Sequence, residues 1–112
     1  MIAGQLRAMA MSLPEVTERQ TWGKPTFRVQ NELFVTLAPD GGSATLKSSP
    51  EEQRSLIADE PDTFAIAAYL GRHGWITVQL DRVDKTHMKD LVTDAWGRVA
   101  PKKIASKHHA QR

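Results

Sequence analysis

Ile2, Leu6, Met9, Ala10 and Leu13 recur at helical spacing and form one apolar stripe that stops at Pro14, which predicts a first helix over 2–13. From Thr26 the period shortens to two. Phe27 and Val29, then Leu33, Val35 and Leu37, then Ala44 and Leu46 fall on alternate positions, so three successive strands would share one face of an antiparallel sheet. Asn31, in Gln30-Asn31-Glu32, and the run Pro39-Asp40-Gly41-Gly42 supply the turn chemistry for two hairpins. Ser49-Pro50-Glu51-Glu52 then gives an N-cap, a proline at the first helical position and a capping-box glutamate, opening a helix that reaches about Ile57 or Ala58. Pro61 breaks it, and Thr63 to Ala67 suits a short strand. Trp75 to Leu80 alternates again, with Ile76, Val78 and Leu80 on one face and Trp75, Thr77 and Gln79 on the other. Asp84 caps a last helix whose Met88, Leu91, Val92, Ala95, Trp96 and Val99 make a wide apolar stripe ending before Pro101. The order α-βββ-α-ββ-α predicts an α+β domain over 1–100, with helices on one face of a mainly antiparallel sheet.

A length of 112 residues, with 40% hydrophobic and 25% charged, fits one domain with a real core and excludes a large multidomain enzyme. The formal charge is +2, but it is unevenly spread. Arg98, Lys102, Lys103, Lys107 and Arg112 follow Trp96 with no acid among them, while the first 96 residues hold ten basic side chains against thirteen acidic ones, a net of −3. The segment 101–112, PKKIASKHHAQR, has Ile104 as its one bulky aliphatic, so it reads as a mobile basic tail that is either simply solvated or tracks phosphates. No apolar run approaches a membrane span and the start has no secretory pattern, so a cytoplasmic location, without membrane contact, is expected.

Catalytic chemistry finds no foothold. There is no cysteine, and His73, His87 and the pair His108-His109 lack metal-ligand spacing. Gly41-Gly42 lacks the lysine of a phosphate-binding loop, and the acid pairs Glu51-Glu52 and Asp59-Glu60 suit helix ends. No enzyme, metal or cofactor is therefore expected.

Two aromatic clusters with basic neighbours stand out, Thr21-Trp22-Gly23-Lys24-Pro25-Thr26-Phe27-Arg28-Val29 and Ala68-Tyr69-Leu70-Gly71-Arg72-His73-Gly74-Trp75-Ile76. If Phe27 and Val29 point into the core, Arg28 faces the other side of the sheet, and the same parity sets Lys47 opposite Leu46 and Trp75 opposite Ile76. A face holding Arg28, Lys47 and Trp75, with Lys24 and Arg72 at its edges, would neutralise phosphates and stack on bases. The alternative makes Trp22 and Trp75 rim residues covering the open side of the sheet, with basic stems lying over them.

The same segments, together with Leu46-Lys47, Pro50-Glu51-Glu52 and Ala10-Met11-Ser12-Leu13-Pro14-Glu15-Val16, resemble the MmcQ/YjbR family of small bacterial proteins over about residues 5–97. The resemblance implies a CyaY-like fold and a DNA-binding function through a double-wing arrangement of projecting β elements. On the matching positions it makes Lys24, Arg28, Lys47 and Arg72 phosphate contacts and Trp22 and Trp75 stacking, wedge or pocket-wall residues; Lys102 and Lys103 would assist from the tail. Two other functions remain open: a small-molecule or peptide pocket walled by Trp22, Tyr69 and Trp75, or a protein-interaction or dimerisation domain. A monomer is expected.

Overall fold

Helix α1 (Ala3–Met11) leads into three antiparallel strands closed by two-residue turns: β1 (Val16–Thr21), β2 (Lys24–Val29) and β3 (Glu32–Leu37). The turns Trp22-Gly23 (φ 52° and 79°) and Gln30-Asn31 (φ 49° and 68°) are left-handed at both residues. That is the primed hairpin geometry, whose twist matches the strands it joins. The chain continues through β4 (Ser43–Leu46), α2 (Pro50–Asp59), β5 (Phe64–Ile66), a 3-10 turn at Gly71–His73, β6 (Ile76–Gln79), α3 (Lys85–Val99) and α4 (Lys102–Ala110). In this computed structural model, which describes residues 1–110, six strands form a single sheet in the order β1-β2-β3-β4-β6-β5, each neighbour antiparallel.

The helices start where the sequence places their caps. Ser49 Oγ accepts from the Glu52 amide at 3.1 Å with Pro50 at the first position of α2, and Asp84 Oδ1 accepts from the Thr86 and His87 amides to open α3. α3 lies across β3 and β4, and α1 packs against α3 and β1. Phe27, Val29, Val35, Ala44, Leu46, Ile76 and Val78 point from the sheet into this layer and meet Leu6, Ala10, Met88, Val92 and Trp96, all essentially without solvent exposure. Each large side chain so buried contributes roughly 1.5–3 kcal/mol, so the α+β architecture rests on this single interface. No helix among the described residues is long and apolar enough to cross a membrane.

Three expectations need correction. First, β1 extends the sheet by a strand that the apolar pattern does not announce: of VTERQT only Val16 is buried, because the strand is an edge with Glu18 held by Arg7 of α1 at 3.0 Å. Second, Leu33 does not share the core face with Val35 and Leu37. The β2–β3 register shifts, with Phe27 opposite Val35 but Arg28 opposite Leu33, so Phe34 is an extra bulge residue and Leu33 turns to the other side. Third, residues 102–110 are helical rather than a mobile tail. Pro101 O accepts from the Ile104 and Ala105 amides, those two side chains pack on the core, and the His108 ring sits edge-on to Trp96 with centroids 5.0 Å apart. Ile104 and Ala105 together with the His108 ring give this short helix its apolar attachment to the core. The end of the expected tail, 111–112, lies outside the described residues.

Candidate functional site

Pairing register determines what the side of the sheet away from the helices carries. Thr26 of β2 stands opposite Thr36 of β3, Thr36 opposite Thr45 of β4, and Thr45 opposite Thr77 of β6. Four threonines therefore form one lateral row, about 14 Å long at the usual spacing between strands. Their hydroxyls are partly linked: Thr45 Oγ1 and Thr77 Oγ1 are 3.3 Å apart, and Thr26 Oγ1 donates to Arg19 O at 2.8 Å. In the first hairpin Thr17, Arg19 and Thr21 face Arg28, Thr26 and Lys24 respectively, which puts three cations on this side. The strand carboxylates go the other way, Glu18 toward α1 and Glu32 opposite the core residue Val29.

Asn31 brings two of those cations together. Its side-chain Oδ1 accepts from Arg19 Nη1 at 3.0 Å and its backbone oxygen accepts from Arg28 Nη1 at 3.2 Å. Arg28 Nε also reaches Thr26 Oγ1 at 3.4 Å. These partners are neutral oxygens, and among the described residues no carboxylate pairs with Arg19, Lys24 or Arg28. Both guanidiniums are oriented yet keep their full charge, the condition for gripping an anion bidentately.

The threonine row is the floor of a trough of about 540 Å³. Lys24, Arg28 and Leu33 line it beside the floor, Trp22 rises from the β1–β2 turn, and Ala68, Tyr69 and Leu70 rise from the segment after β5. The two walls thus come from opposite edges of the sheet. Trp22 is 91% exposed and Tyr69 is 96% exposed. Each also holds a left-handed backbone, Trp22 at φ 52° and Tyr69 at φ 64°, the latter inside a γ-turn closed by Leu70 N donating to Ala68 O at 2.6 Å. Left-handed φ disfavours bulky side chains, and the γ-turn of positive φ is strained. Neither aromatic gains burial in return, so the core does not account for the strain at either position.

The wall carrying Tyr69 is tied to α2. Gln53, 8% exposed, donates its Nε2 to Gly71 O and to Trp75 O, both at 2.8 Å. Replacing Gln53 by alanine leaves both carbonyls without that donor and is expected to cost about 2 kcal/mol in urea denaturation. Faster amide exchange should appear in 67–75 before the rest of the sheet; uniform exchange would show that Gln53 does not hold this wall.

Of the residues singled out from sequence, Lys24, Arg28, Trp22 and Tyr69 come together at the trough. Trp75, Lys47 and Arg72 do not line it. Trp75 is 7% exposed and lies outside the main core cluster: it precedes β6, follows Gly74 at φ 93°, and has its carbonyl engaged by Ala67 N and Gln53, so it is buried rather than open to a ligand. Lys47 lies one residue past β4 and is half-buried. Arg72 is exposed in the 3-10 turn, where its Nε donates to His73 Nε2 at 3.3 Å. Lys102 and Lys103 are exposed on α4, which packs with the helix layer. Sequence reasoning missed Arg19 and the threonine row. The alternation Thr17-Arg19-Thr21 ahead of the two-residue turn at Trp22-Gly23 was the signal for the first.

Comparison with known proteins supplies the context for this architecture. A crystal structure of the Deinococcus radiodurans protein DR2400, of domain family DUF419, superposes with a TM-score of 0.78 over 91% of this chain and 83% of that one, at 22% identity, which shows a shared fold. Uncharacterized proteins from Mycobacterium bovis and from two strains of Mycobacterium tuberculosis are 25% identical over 87 residues, spanning 74% of this chain and 67% of theirs. The YjbR family pattern matches residues 11–98, from the end of α1 through nearly all of α3 and so across the whole sheet. The chain belongs to the YjbR family.

Proposed function

We propose that the protein is a non-catalytic DNA-binding module that takes the phosphodiester backbone along the open face of its sheet. The observation that carries this reading is the separation of charge: Arg19, Lys24 and Arg28 share a strand face free of carboxylates, although residues 1–96 are net negative. The nearest strand carboxylates project from the opposite face, Glu18 paired with Arg7 there, and exposed charges are screened over about 8 Å at physiological salt, which limits what they subtract from the local field. The trough is also open. Small ligands are usually enclosed over most of their surface, whereas walls as exposed as Trp22 and Tyr69 suit a polymer that passes through. The sheet face offers cations and hydroxyls but no carboxylate or histidine to act as a base, which favours binding over chemistry.

Fluorescence anisotropy with labelled DNA over a range of salt concentrations tests the proposal. Arg19→Ala and Arg28→Ala should each weaken binding roughly fivefold to tenfold and reduce the salt slope by about 0.7–0.9, while Lys47→Ala, outside the trough, should leave both unchanged. Binding that ignores salt and both arginines would overturn it. The concavity itself favours one competing reading, a pocket for a small anion. That reading requires competition by a free nucleotide and no dependence on oligonucleotide length.

A further inference from the structure

We infer that the partner of this face is an unpaired strand, with bases stacked on Trp22 and Tyr69 and backbone phosphates held by Arg19, Lys24 and Arg28; this rests on the DNA-binding reading above. A stacking side chain must reach the flat face of a base. In a duplex those faces are covered by neighbouring pairs, whereas a single strand exposes them. Proteins that pry a duplex open do so with projecting apolar wedges. Here the aromatics stand at the rims of a concavity whose threonine floor spans about 14 Å, so their ring faces border a trough.

The floor fits an unpaired strand in a second way. Thr36, Thr45 and Thr77 present half-buried hydroxyls, which donate or accept according to the group they meet, so they serve any base edge without selecting one, while the buried Thr26 is held by Arg19 O and Arg28 Nε. The cations are set to one side of this row, on the β1–β2 hairpin, with Arg19 and Arg28 drawn toward Asn31. A strand laid with its phosphates on the hairpin therefore turns its bases over the floor, between the two aromatic walls. The strain at Trp22 gains a purpose in this arrangement, since asparagine at that position would give the preferred Asn-Gly turn but no surface for stacking.

The test uses the full chain with a labelled 15-nucleotide thymidine strand and the same strand annealed to its complement, titrated at several salt concentrations. The single strand should bind at least tenfold more tightly, and Trp22→Ala and Tyr69→Ala should each weaken it about tenfold without changing the salt slope. Trp22→Asn should raise the thermal midpoint by about 4 °C while losing the same tenfold in affinity, which separates loss of stacking from loss of folding. Emission from the exposed Trp22 should be quenched on binding in the parent and not in Trp22→Asn. Equal or tighter duplex binding, or full affinity in Trp22→Asn, would overturn the inference and leave the DNA-binding proposal standing. Failure of both forms to bind in a salt-dependent manner removes the two together.

Discussion

Replacing Gly74 by alanine should lower the unfolding free energy by roughly 3 kcal/mol, combining the penalty of a left-handed backbone with that of overpacking. Gly74 sits at φ 93°, and an added Cβ would lie 2.5 Å from the carbonyl carbon of Ser49 and 2.6 Å from the nitrogen of Pro50. Both are backbone atoms at the start of α2, so they have no rotamer by which to move aside. Ser49 caps that helix, and Gln53, within its first turns, holds the carbonyls on either side of Gly74. The substitution therefore strains the cap and the anchor of the Tyr69 wall together. Gly71→Ala is the informative comparison: its Cβ would meet the Ile66 side chain, which is exposed and free to rotate, so a loss of about 1 kcal/mol is expected. Urea denaturation of the pair should show Gly74→Ala as much the weaker. Equal losses would mean that the contact with α2 is not the controlling one.

Trp96→Ala should cost about 4 kcal/mol, near the middle of the range for a large aromatic removed from a core. Trp96 is fully buried, its Nε1 donates to Pro14 O at 3.0 Å, and its ring meets His108. It thus joins the segment after α1, the body of α3 and the last helix. Loss of the indole should release α4 as well as weaken the core, so circular dichroism at low temperature should register a loss of helix before global unfolding begins. Trp96→Phe keeps much of the volume but loses the N–H, and about 1.5 kcal/mol is expected. If Trp96→Ala retains the full helical signal, α4 is held by other contacts.

Most of the helix layer and the middle of the sheet could be read from sequence because their periods are clean. Met88 to Val99 keeps a helical stripe, and Phe27, Val29, Ala44 and Leu46 keep strict alternation on elements buried on one side. β1 could not be found by the same logic, since an edge strand with polar side chains on both faces leaves no apolar alternation to detect. Leu33-Phe34-Val35 hides a different ambiguity: three consecutive apolar residues fit either parity, and only the bulge decides that Leu33 faces the trough. The site divides along the same line. Lys24 and Arg28 lie within one ladder, where alternation is enforced by hydrogen bonding, and they stand together. Lys47 and Trp75 lie one residue outside a strand, still hydrogen-bonded to the neighbouring segment through Lys47 N to Phe34 O and Ala67 N to Trp75 O, and neither lines the trough.

The composition of the trough floor also bears on speed. Threonine is branched at Cβ and stiff about its first side-chain torsion, and in a paired strand the backbone beneath it is already fixed. Occupying the row therefore freezes few degrees of freedom, and little affinity is lost to ordering the protein. The side chains left to settle are Lys24 and the two rim aromatics, the latter with only two torsions each, since Arg19 and Arg28 are already oriented by Asn31. A surface prepared in this way should capture and release its partner rapidly, with lifetime governed by how well the rims grip rather than by any rearrangement of the sheet.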